Sequence, residues 1–191
     1  LDQVIVEPLD SSDLGTPEPV LSYDFRDGAD HGFSLFAAEP LASPVYAEPH
    51  HVGLAMRGSD STTSETLFGY FGKETDIALD GSKLYRLTAT VRSDATSLEP
   101  GRVPSFRLRV NDESLQLAVV KMISSTGDNP RVPAGGRAVK YTLWIDAPPA
   151  LEGNRLLLSF DYLYAKDTDD DPTITLFLES LVIEAFDKEN L

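Results

Sequence analysis

Arginines standing at alternate positions in two strand-like segments are the residues of this chain with the most chemistry in reach. Arg86 and Arg92 interleave with Tyr85, Leu87, Ala89 and Val91, and Arg107 and Arg109 interleave with Phe106, Leu108 and Val110. A guanidinium is a planar fork of donors that grips a carboxylate, a sulfate or a pair of sugar hydroxyls at two points. Asp161, in a third alternating segment, either shares a ligand with such forks or neutralises them. Trp144 is the only tryptophan. It falls on the strand side of Thr142 and Asp146, opposite Leu143 and Ile145, where an exposed ring offers a flat apolar platform to a pyranose. Two readings stand side by side. In one, an open sheet face binds an acidic or neutral glycan. In the other, the arginines pair across strands with Asp161, Glu179 and other acids, and Trp144 is largely buried.

Oxygen chemistry is the second theme. Calcium takes about six to eight hard oxygens, and Asp24, Asp27 and Asp30 offer three within one turn-rich stretch. The same Asp and Gly residues also make a turn with no metal at all. Asp167, Asp169 and Asp171 have the spacing of an EF-hand opening, but Pro172 follows where glycine is needed and Leu178 stands where the bidentate Glu belongs. A solvated acidic loop is the expectation there. The three histidines, His31, His50 and His51, show no spacing suited to a nucleophile, base and acid or to a metal. On an extended strand, His50 and His51 point to opposite sides.

The elements that must position these residues are strands. Segments 83–93, 104–111, 138–147, 155–165 and 173–186 alternate with period two, and shorter candidates at 20–26, 33–36, 51–57 and 65–72 are bounded by Gly, Pro, Asp or Ser. No window has sustained helical spacing with a cap in front of it. Many short strands predict a sandwich or barrel with little or no helix. Residues 1–19 read as a lead-in or marginal edge strand, 20–187 as one domain and 188–191 as a tail.

Composition narrows the partners. The chain has 191 residues, 41% of them apolar, enough for one sizeable core. Its 31 acidic against 16 basic residues give a net charge of −15, a field that repels phosphate backbones and anionic bilayers. Nucleic acid is therefore not an expected partner, and no apolar run approaches the length of a spanning helix. Cysteine is absent, which removes disulfides and thiolate chemistry. The start at Leu1 suggests a processed product, and the acidic, proline-rich and glycine-rich composition leans toward an exported protein, extracellular, periplasmic or at the cell surface.

The residues also carry a family resemblance. Tyr23-Asp24-Phe25-Arg26-Asp27-Gly28-Ala29-Asp30-His31-Gly32-Phe33 resembles the opening Phe-Glu-Asp-Gly…Gly-Trp of carbohydrate-binding modules with the galactose-binding-like jelly-roll fold. Ser82-Lys83-Leu84-Tyr85-Arg86-Leu87-Thr88-Ala89 is similar to that family's Tyr-x-Leu-x-Ala strand. Leu176-Phe177-Leu178-Glu179-Ser180-Leu181-Val182-Ile183-Glu184 is similar to its last strand. The family's early Glu is Arg26 here, its Trp is Phe33, and the Asp pair of the last strand is Glu179-Ser180. The resemblance implies a jelly-roll β-sandwich of two antiparallel sheets acting as a non-catalytic carbohydrate-binding module of an exported bacterial protein. It also implies a structural calcium held by Asp24, Asp27 and Asp30 with Glu179, and no cofactor required for function. The expected contacts to a polysaccharide or oligosaccharide are Arg86, Arg92, Arg107, Arg109, Trp144 and Asp161. The resemblance also implies a module that forms one part of a larger multidomain protein. A structural or adhesive cell-envelope module is the alternative. A polysaccharide lyase or hydrolase is the third reading, although the Gln-x-His and Tyr-x-Lys-x-Gly-x-Tyr strands of jelly-roll lyases are absent.

Overall fold

A computed structural model describes residues 15–37, 45–58, 66–95, 105–111, 120–121, 132, 135–146, 153, 155–165 and 174–190, with backbone alone for several strand stretches that include 66–70, 105–111 and 161–165. The strands are β1 (Glu18–Asp24), β2 (Ser34–Ala37), β3 (Val45–His50), β4 (Gly53–Gly58), β5 (Thr66–Ala78), β6 (Lys83–Ser93), β7 (Ser105–Asn111), β8 (Val120–Lys121), β9 (Val139–Asp146), β10 (Arg155–Ala165) and β11 (Leu176–Asp187). One sheet has the order β3-β4-β11-β6-β9-β8, with β1 also paired to β11, and the other the order β2-β5-β10-β7. Neighbours in both are antiparallel, as β1 with β11 and β5 with β10. This is the expected all-β jelly-roll sandwich. Helix among the described residues is confined to two single 3-10 turns, Phe25–Asp27 and Lys188–Asn190.

Alternation produces the core. In β6, Tyr85, Leu87, Ala89 and Val91 are buried, while Arg86, Thr88, Thr90 and Arg92 between them are only half-buried. Leu143 and Ile145 of β9 and Ile183 of β11 extend the same inner face, and Leu156, Leu158 and Phe160 of β10 with Phe71 of β5 meet them from the opposite sheet. Each such side chain contributes about 1.5–3 kcal/mol by leaving water.

β11 departs from the single alternating run expected over 173–186. Leu176 and Leu178 face inward, and so do Leu181, Ile183 and Ala185, a change of phase that needs an extra residue. The pairing with β6 slips between Leu178 and Ser180, so Glu179 is the extra residue of a bulge. The bulge also divides one edge of β11, whose residues Leu176–Leu178 pair with β4 and whose residues 180–185 pair with β1.

Other differences are local. β3 and β8 were not expected; β3 carries Pro49, which suits an edge position because proline has no N–H to donate to a second neighbour. His50 pairs with Gly53, so His51 and Val52 form the turn of a hairpin. Strand alternation therefore stops at His50, and the two imidazoles lie side by side, 4.0 Å between centroids, not on opposite sides. Pairing begins at Glu18, which moves the end of the expected lead-in into β1. The expected tail is docked: Lys188 donates its backbone N–H to Ser82 O at 3.0 Å and its Nζ to Gly81 O at 2.7 Å, and Nζ also pairs with Asp146.

Candidate functional site

The four arginines do not share a face, because β6 and β7 belong to opposite sheets. Alternation reports the side of a strand, not the sheet the strand joins. Register sets Arg107 opposite Asp161 and Arg109 opposite Ser159 on β7 and β10; the side chains of Arg107, Arg109 and Asp161 lie outside the described residues, as does the whole loop 167–172.

On the outer face of the larger sheet, Glu184, Arg86 and Trp144 stand in one row across β11, β6 and β9. Arg86 Nε and Nη2 both donate to Glu184 Oε2, at 2.9 and 2.8 Å. Its guanidinium carbon lies 5.7 Å from the Trp144 ring centroid and 5.1 Å from that of Phe186. Trp144 is half-buried and tilts against Phe186, with 5.6 Å between centroids. The cation is thus held by a carboxylate and two π faces. Arg92 Nε donates to Glu179 Oε1, whose side chain is 7% exposed. Both described arginines of the face are engaged within the protein.

The stretch expected to ligate calcium spends its oxygens on the chain itself. Asp24 precedes the Phe25–Asp27 turn and takes Arg26 in a bidentate pair, Oδ1 from Nε and Oδ2 from Nη2, each at 2.7 Å. The Arg26 hydrogen bond holds its pKa at about 2. Asp27 Oδ1 accepts from Ala29 N and Asp30 Oδ1 from Gly32 N, both at 2.8 Å, and Asp27 Oδ2 lies 3.2 Å from His31 Nε2. Glu179 is turned to Arg92. Among the described residues no three of His, Cys, Asp and Glu gather where a metal ion is held, so this donor set does not fit calcium as arranged.

An open groove of about 510 Å3 lies instead where edge strand β1 faces the end of β5. Its floor follows from one row of residues: Glu18, Ala185 and Tyr85 stand side by side on β1, β11 and β6. Ala185 is the small member of that row, and a methyl between longer neighbours leaves a recess. Leu21 and Tyr23 of β1 continue one wall, and Asp76, Ile77 and Asp80 form the other. Tyr85 O–H accepts the backbone N–H of Asp80 at 2.9 Å, and burial raises the phenol's pKa, so it stays a neutral hydroxyl. Tyr23 is held in place: His31 stacks on it at 5.1 Å, Phe33 meets it edge-on at 5.8 Å and Lys73 Nζ sits 4.6 Å from its centroid. Lys73 in turn donates to His31 O. The fixed Tyr23 ring, apolar walls and a rim of carboxylates are a surface for an amphipathic, hydroxyl-rich ligand. Sequence reasoning took Tyr85 as core, and its ring is buried there; what it left out is that the hydroxyl reaches the groove. The available signal was a tyrosine on an otherwise apolar face, whose hydroxyl has to find a partner.

No family model matches the chain, and no curated protein matches it in sequence. Solved structures do match. A cyclase from Fischerella sp. TAU has a TM-score of 0.54 at 10% identity, over 88% of this chain and 98% of the cyclase. The CBM22-1 xylan-binding domain from Paenibacillus barcinonensis Xyn10C has a TM-score of 0.40 at 16% identity, over 90% of this chain and 96% of the domain. The enzymatically active domain of bacteriophage CBA120 tailspike protein 4 has a TM-score of 0.47 at 11% identity; the match covers 84% of this chain and spans only 20% of the tailspike chain. At such identities the likeness is one of fold.

Proposed function

We propose that the chain is a non-catalytic carbohydrate-binding module of an exported bacterial protein, and that it takes its sugar in the groove between β1 and β5. The observation that carries this reading is the composition of that groove, with Leu21, Tyr23 and Ile77 along its walls, Ala185 and the buried Tyr85 in its floor and carboxylates at the rim. A pyranose has the matching anatomy, an apolar C–H face and a border of hydroxyl donors. Asp80 accepts Ser82 N and Oγ, at 2.8 and 2.7 Å, and is held below the ordinary carboxylate range. It therefore stays an acceptor and is poorly suited to general-acid catalysis.

The competing structural or adhesive module gains support from the outer face, where Arg86 and Arg92 already hold Glu184 and Glu179. Affinity electrophoresis through gels containing neutral and charged polysaccharides separates the two. Retardation is expected, and Ala185→Leu, which fills the recess, should abolish it in a variant that still unfolds cooperatively, at a cost of about 1–3 kcal/mol for the larger side chain. Unretarded migration in every gel would favour the structural module, and release of new sugar ends from any polymer would favour an enzyme.

A further inference from the structure

We infer that the groove selects sugars carrying a free amine, such as de-N-acetylated glucosamine polymers, over neutral and acidic glycans; the inference rests on the carbohydrate-binding reading above. Three carboxylates line the groove, Glu18, Asp76 and Asp80, against one lysine, Lys83. That lysine is already matched: its Nζ lies 2.7 Å from Asp187 Oδ1 and 3.4 Å from Glu18 Oε2. Asp76 has no ion pair or side-chain hydrogen bond among the described residues. Asp80 takes its two Ser82 donors on a single oxygen, Oδ1.

A cleft lined by one sign of charge, with low-dielectric walls such as Leu21 and Ile77, concentrates its field on whatever enters. The net charge of −15 adds to that field. An ionised carboxylate only accepts hydrogen bonds, so the groove asks its ligand for donors. An ammonium group supplies three of them and a positive charge. A uronic acid brings acceptors and a negative charge to the same rim and is repelled. A lysine-rich peptide brings the same charge, and the preference for the sugar rests on the carbohydrate-binding reading above.

The test titrates the whole chain with four tetrasaccharides, of glucosamine, N-acetylglucosamine, xylose and galacturonic acid, and with tetralysine, at a mildly acidic pH where the amine is charged. The glucosamine tetramer is expected to bind about fivefold tighter than its acetylated twin, the advantage of one or two half-exposed ion pairs. That margin should shrink in about 1 M salt. Asp76→Asn and Glu18→Gln, both exposed positions, should weaken the glucosamine tetramer more than the acetylated one and so remove most of the margin. Equal binding of the amine and acetylated forms would overturn the amine selectivity and leave the sugar-binding function standing. Binding of tetralysine in preference to every saccharide, or no binding at all, would overturn both.

Discussion

Asp24 accepts three hydrogen bonds from Arg26, and its pKa falls from the ordinary 3.8 to about 2. A carboxylate whose folded pKa is lowered contributes stability above its unfolded value and loses it as pH falls through the folded one. The contribution of this pair is therefore complete above about pH 4 and fades toward pH 2. Following the Asp24 carboxyl carbon by NMR should give a midpoint near 2, and Arg26→Ala should return it toward 3.8; a midpoint that stays low in the variant would show that Arg26 is not the cause. The same residues mark how far side-chain types can be read from a sequence. Asp24, Asp27 and Asp30 announce themselves as oxygen donors, but which partner reaches them first is a matter of local geometry. Here the partners are backbone and side-chain groups two residues away, the commonest competitors for a short Asp side chain.

Among the elements, β11 and its sheet neighbour β4 carry the tightest fit. A Cβ added to Gly53 would stand 2.5 Å from Leu178 O and 3.1 Å from Glu179 Cα, at the point where the bulge brings the two strands together. Gly53→Ala is expected to cost about 2 kcal/mol or more by forcing that backbone apart. Gly28→Ala, at φ 80 with nothing within 4 Å, should cost only about 1 kcal/mol of backbone strain. Urea denaturation of the two variants compares them directly; an equal loss in both would mean the strand junction relaxes freely. Strand positions were readable because burial follows period two, and the inner faces of β6 and β9 came out as their alternation indicates. The bulge was readable as well, since inward Leu176 and Leu178 are out of phase with inward Leu181 and Ile183. It was missed by treating the run as unbroken.

At the scale of the molecule, the sandwich was legible and its binding surface was not. Which sheet a strand joins depends on contacts between distant segments, so β6 and β7 were given one face although they lie in opposite sheets. The groove likewise joins Glu18–Tyr23, Asp76–Asp80, Lys83, Tyr85 and Ala185, a set that no single window of the sequence contains. The antiparallel pairing of β1 with β11 has a mechanical consequence. Glu18 stands opposite Ala185, so the start of one strand and the end of the other lie together, with Lys83 bridging Glu18 and Asp187 across them. Tension applied between those two points opens the pair rung by rung, like a zip, rather than loading all its rungs at once. Single-molecule stretching across positions 17 and 188 should show an early, weak step of one strand's length, and saturating glycan should raise its force; a single all-or-none rupture would contradict this. Because the peeled strand is itself a wall of the groove, a ligand held there would be released under load while the core of Leu87, Leu143 and Ile183 is still intact.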